Sequence, residues 1–139
     1  LSSIIAGIDQ GNQIRIEITI HGLYKSQNYG AILDSGFTAG LSIPLVLAVD
    51  LGLSRIGTTT VTLADGTTTV LPLFTTKVQI GDTTIDTPTI VMGSDILIGM
   101  ELMQNFRVCV NAKDGDVSVV EQSELEKVKR LSETLRRML

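Results

Sequence analysis

The stretch AILDSGFTAGLSIP, residues 31–44, decides how the chain is read. Ala31, Ile32 and Leu33 form an apolar run, and Asp34, Ser35 and Gly36 follow at once. A short strand buried on both sides would carry the carboxylate to its end, reading as Gly30 to Leu33. The glycine permits a tight turn that a side chain would block, and the hydroxyl can hold that turn by hydrogen bonding. An acid fixed at such a strand end sits in poor dielectric, where its proton affinity can be moved. Asp, Ser and Gly are also the commonest turn formers, so these three residues alone fit a plain strand-to-turn junction better than a site. The flanking chain has to separate the two.

Upstream, Ile14, Ile16, Ile18 and Ile20 alternate with Arg15, Glu17, Thr19 and His21, the signature of a half-buried strand over residues 13–21. His21 falls on the polar face and reads as a solvent-facing residue without a role. Leu23 to Tyr29 reads as a polar connection. Downstream, Pro44 can be the first residue of a helix running to Leu51, with Gly52 ending it. From Thr58 the composition turns to Thr and Val around Asp65-Gly66, the strongest short-range hairpin signal, which predicts a long hairpin from Thr58 to Ile80. Its tip falls at Ala64, Asp65, Gly66 and Thr67.

Beyond a turn at Gly81-Asp82, Pro88 splits Thr83–Asp86 from Thr89–Met92 into two short strands, since proline suits an edge or a break. Leu97-Ile98-Gly99 ends a second fully apolar run, and Met100 to Asn105 adds a helical turn or two. Phe106 to Asn111 and Val117 to Val120 are strands joined by a turn at Lys113-Asp114-Gly115. Cys109 reads as a small buried or half-buried residue. Finally, Ser123 and Glu126 have capping-box spacing, and Leu125, Val128, Leu131, Leu135 and Met138 mark one amphipathic helix. Its stripe is expected to dock either on its own β body or on a second subunit.

Composition narrows the classes of function. The 139 residues suit one core domain, residues 1–120, followed by the helical tail, residues 121–139. The single Cys excludes an internal disulfide framework, and with a single His no zinc spacing exists, so neither metal nor cofactor is expected. The body carries eleven acids and six bases, the tail four and five. No basic stripe with interleaved aromatics occurs, which disfavours nucleic acid. The N-terminus lacks the basic-then-apolar pattern of a leader, and no run reaches the length of a membrane span. A soluble protein in the cytoplasm is the resulting expectation.

The order of these landmarks resembles the retropepsin-like aspartic proteases, in particular their single-domain bacterial and archaeal members. DSGFTAGLSIP, VTLADG and LIGMELM carry the resemblance, which covers about residues 13–120. It implies a mainly β fold, a closed acid-protease barrel with short helices, to which this chain adds its amphipathic C-terminal helix. It also implies that Asp34 is the catalytic acid, that Ser35 and Gly36 shape its loop, and that Leu97, Ile98 and Gly99 support that loop from below. Ala64, Asp65, Gly66 and Thr67 would then be the tip of a flap over substrate. Serine replaces the commoner threonine of the motif and keeps its hydroxyl. The acid that follows the motif in viral members is absent from Phe37-Thr38-Ala39-Gly40.

An aspartic protease needs two carboxylates that share a proton, an arrangement for which aspartic proteases are the standing example. Only one such motif is present, so the second acid would come from a homodimer. The expected activity is an aspartic endopeptidase acting on a peptide or protein substrate. The alternative is a catalytically silent barrel of the same fold that dimerises or binds peptides. A third reading, a hydrolase that needs no dimer, pairs Asp34 with Asp95 or another carboxylate of the same chain.

Overall fold

The computed structural model describes residues 4–139; residues 1–3, the start of the segment read as free of a leader, lie outside it. The chain is mainly β, the class expected from its sequence. Strands β1 (Ala6–Ile8), β2 (Ile14–His21), β3 (Ser26–Leu33) and β4 (Leu41–Ile43) lead into helix α1 (Leu45–Leu51). Strands β5 (Ser54–Thr62), β6 (Thr68–Ile80), β7 (Thr83–Val91) and β8 (Leu97–Ile98) precede the short helix α2 (Met100–Met103). Strands β9 (Phe106–Asn111) and β10 (Asp116–Glu121) form a separate two-stranded sheet, and helix α3 (Gln122–Met138) ends the chain.

The eight-stranded sheet runs β1-β2-β3-β8-β4-β7-β6-β5, and β2 also pairs with β6. That extra pairing, Thr19 to His21 against Gln79 to Lys77, closes β2, β3, β8, β4, β7 and β6 into a ring. The alternation that marks β2 explains why. Ile16, Ile18 and Ile20 point inward and are fully buried, where they meet Val78 and Ile80 of β6, Leu41 and Ile43 of β4, and Leu51 of α1. A strand with one dry face closes a ring around that face.

Several local expectations hold and several change. Pro44 caps α1 from an extended conformation instead of opening it, while Gly52 ends it in the left-handed region as expected. The connection expected over Leu23–Tyr29 is shorter, because β3 begins at Ser26 and pairs with β2 along its whole length. Pro88 does not split its segment: β7 is continuous. Pro88 opposes Thr75 on β6, and pairing with β4 begins only at Thr89, so on that side the missing N–H has no strand to serve. Cys109 is exposed rather than buried, since it stands opposite Ser118 on the outer face of the β9–β10 pair while Phe106 turns inward. His21 is half-buried, its ring nitrogens within hydrogen-bond distance of Ser26 Oγ at 2.7 Å and Gln79 Oε1 at 2.9 Å.

The tail also departs from the capping-box expectation. β10 runs through Glu121, the chain turns helical at Gln122, and Glu121 takes the cap position with no side-chain cap bond. The Gln122 N–H donates to Asn105 O at 3.1 Å, which fixes the turn one residue before Ser123. Docking of the stripe on the chain's own body is not what the fold contains. Leu125 is half-buried, but Val128, Leu131, Leu135 and Met138 are exposed.

Candidate active site

Asp34 stands one residue past the end of β3. The parallel β3–β8 pairing sets Ile32 beside Leu97 and Leu33 beside Ile98. The ladder continues past the strand, with the Asp34 N–H donating to Ile98 O at 3.0 Å. The loop that follows is stapled to the same support: Gly99 N–H donates to Gly40 O at 2.9 Å and Met100 N–H to Phe37 O at 2.9 Å. Leu97, Ile98 and Gly99 therefore pair with the strand that leads into Asp34 and with the loop that follows it. Gly99 is needed for that closeness, because a Cβ there would overlap Ala39 O and crowd the Phe37 ring at 2.9 Å. Gly40 is under similar constraint, packed on Thr87 of β7.

Within the loop, the Gly36 N–H donates to Asp34 Oδ1 at 2.9 Å and the Phe37 N–H to Asp34 O at 3.1 Å. The first bond is a side-chain turn that orients the carboxylate and leaves it half-buried at the mouth of the loop. Ser35 and Gly36 are exposed, so the hydroxyl is presented outward rather than used inside the chain.

Beside the loop lies a cleft of about 470 Å³, walled by Phe37 and Thr38 on one side and by Thr59 to Thr62 of β5 on the other. Leu73, Pro88 and Ile90 complete the lining, in which no residue carries a charge. A cleft of this size, lined by apolar side chains and threonines in comparable measure, suits a neutral group better than an ionic one. Thr59 to Thr62, Pro88 and Ile90 were not singled out in the sequence. The Thr-rich run marks the hairpin arm, but nothing in it marks the loop that the arm faces.

The hairpin tip is where the Asp-Gly pair put it. Thr67 donates to Asp65 Oδ1 from its N–H at 2.9 Å and from its hydroxyl at 2.6 Å, and Leu63 N–H bonds Thr67 O at 2.7 Å. The hydroxyl bond first, and then the backbone bond, hold the Asp65 carboxyl below its ordinary range. Gly66 supplies the left-handed residue, φ +85°, in open space. Ala64, Asp65, Gly66 and Thr67 are all exposed. The arm of the hairpin lines the cleft, and the tip lies beyond it.

Asp95 does not join Asp34. It lies in the bend before β8, whereas Asp34 follows β3 beside Gly99, past the other end of β8. Two carboxylates so separated cannot share a proton. Among the described residues no group of three or more His, Cys, Asp or Glu side chains could hold a metal ion, and no helix is long and apolar enough to cross a membrane. No protein-family model and no curated protein sequence matches the chain.

Proposed function

We propose that the chain is a retropepsin-like aspartic endopeptidase whose active site forms when Asp34 of two copies meet across a twofold axis. The observation that carries this reading is the Asp34 loop itself. One carboxylate is oriented by Gly36 N–H, its backbone is clamped to Ile98 and Gly99, and an uncharged cleft opens beside it under a long hairpin. Within the chain, the β3–β8 register sets Asp95 apart from this carboxylate. An isologous dimer would supply an identical one, with outward-facing Ser35 and Gly36 at the contact.

The chemistry follows from two adjacent acids that hold one proton between them. The ionised Asp34 takes a proton from water, and the water oxygen bonds to the peptide carbonyl carbon. The protonated Asp34 of the other copy gives its proton to the carbonyl oxygen, leaving a neutral tetrahedral diol. The Asp34 that took the water proton then gives it to the amide nitrogen while a diol hydroxyl passes its proton to the other, ionised Asp34; the C–N bond breaks, the carboxylic acid and the amine leave, and the pair again holds one proton. An extended substrate would pair its backbone with the hairpin and place one uncharged side chain in the cleft. Closure of the hairpin would exclude water from that step.

The test is hydrolysis of an unbiased peptide library by the full chain. Cleavage should rise below neutral pH, stop with a statine-type analogue of the diol, and fall by about 10³-fold or more in Asp34→Asn. Cleavage that survives Asp34→Asn removes Asp34 from the mechanism. Peptide binding without cleavage, unchanged by the substitution, would favour the silent β module.

A further inference from the structure

Helix α3 carries an apolar stripe that the body of the chain leaves uncovered, and the charges around that stripe say what kind of surface covers it. Its root is fixed. Glu121, 4 % exposed, accepts hydrogen bonds from the Asp82 N–H at 2.7 Å and the Thr83 hydroxyl at 2.9 Å, and Gln122 is bonded to Asn105 and Phe106. From Glu126 onward every residue except half-buried Ser132 is exposed. Val128, Leu131, Leu135 and Met138 are 65 %, 62 %, 52 % and 76 % exposed, on a helix of about 25 Å at roughly 1.5 Å per residue.

At about 100° per residue these four side chains fall on one face. Of the charges from Glu126 onward, Lys127 borders the stripe, Arg130, Arg136, Lys129 and Arg137 lie farther round, and Glu126 and Glu133 fall opposite it. All five bases therefore lie nearer the stripe than these two acids do. Pairing α3 with its copy would bring bases toward one seam with neither of these acids beside them, which is unfavourable. A surface with an apolar interior and anionic groups at its boundary answers both features at once: the stripe enters the acyl region while the long basic side chains reach out to the headgroups.

We infer that α3 is an interfacial anchor that lays the Val128–Met138 face on an anionic phospholipid bilayer, holding the β body at the membrane surface. The attachment is peripheral, since the helix cannot span. This does not depend on the proteolytic reading.

The experiment is co-sedimentation of the full chain with vesicles of phosphatidylserine mixed with phosphatidylcholine, alongside vesicles of phosphatidylcholine alone. Binding is expected to the mixed vesicles, at least roughly tenfold weaker binding to the neutral ones, and loss on raising salt as the Debye length falls below about 8 Å. Lys127→Glu with Lys129→Glu and Arg136→Glu should weaken partition by roughly tenfold or more. Leu131→Asp with Leu135→Asp should do the same, with the β circular dichroism retained. No binding to the mixed vesicles, equal binding to both kinds, or binding indifferent to the charge reversals would overturn the anchor. So would a lipid-free dimer that Leu131→Asp with Leu135→Asp converts to monomer while vesicle binding is unchanged.

Discussion

Two turns of this molecule are built alike and stand in opposite surroundings. At Asp34-Ser35-Gly36 and again at Asp65-Gly66-Thr67, an aspartate Oδ1 accepts the N–H two residues on, at 2.9 Å in both. The first turn is bolted to β8 through Ile98, Gly99 and Met100, with Gly99 in contact with the loop above it. The second stands at the end of a hairpin with nothing near Gly66. Local turn chemistry therefore does not distinguish a site from a tip. What distinguishes them is whether a remote strand holds the turn still; under the proposed function, the first turn would fix the carboxylate and the second would close over substrate.

The comparison breaks most visibly at its brace. Gly99→Ala should cost about 3 kcal/mol, because the added Cβ overlaps the Ala39 backbone and the loop has to move. Denaturant unfolding measures the cost, and peptide cleavage should fall with it. A loss under about 0.5 kcal/mol would mean that the loop is not clamped from below. The matching change at the open turn is smaller. Gly66→Ala strains a left-handed residue but meets no neighbour, so about 1 kcal/mol is expected. That loss should appear as faster amide exchange at Leu63 and Thr67, with the exchange of Asp34 and Gly99 unchanged.

The smallest effect is a titration. The folded-state value of Asp65 is depressed by its two bonds from Thr67, so the stabilisation it gives the tip is present above its unfolded value of 3.8 and is lost as pH falls through the lower folded value. Carboxyl NMR should find the Asp65 midpoint below 3.8, and Thr67→Val should raise it toward that value. A midpoint at or above 3.8 in the unaltered chain would contradict the turn geometry.

The parts of this arrangement that were legible in the sequence are those written in local pattern. Isoleucine alternation marks β2, Asp65-Gly66 marks the hairpin tip, and the apolar run into Asp34 marks the strand end. The support of Asp34 by Leu97, Ile98 and Gly99 joins residues more than sixty apart, so no local pattern announces it and only family resemblance suggested it. Pro88 shows the opposite failure. The rule that proline interrupts a ladder is sound, but whether a bond is lost depends on which neighbour strand lies on its nitrogen side, and β4 begins one residue later. Ser123 has the spacing of a cap, but a bond from Gln122 to Asn105 starts the helix earlier. The arm residues Thr59 to Thr62 line the cleft because the hairpin folds over the loop, a long-range fact that a threonine run does not encode.

The most direct test of the shared site mixes the unaltered chain with Asp34→Asn at fixed total concentration, allows the subunits to exchange, and follows peptide cleavage against the fraction of unaltered chain. If each active site needs Asp34 from two copies, activity falls as the square of that fraction, to roughly one quarter in an equal mixture. A linear fall, to about one half, would mean that each chain cleaves alone and would contradict the dyad.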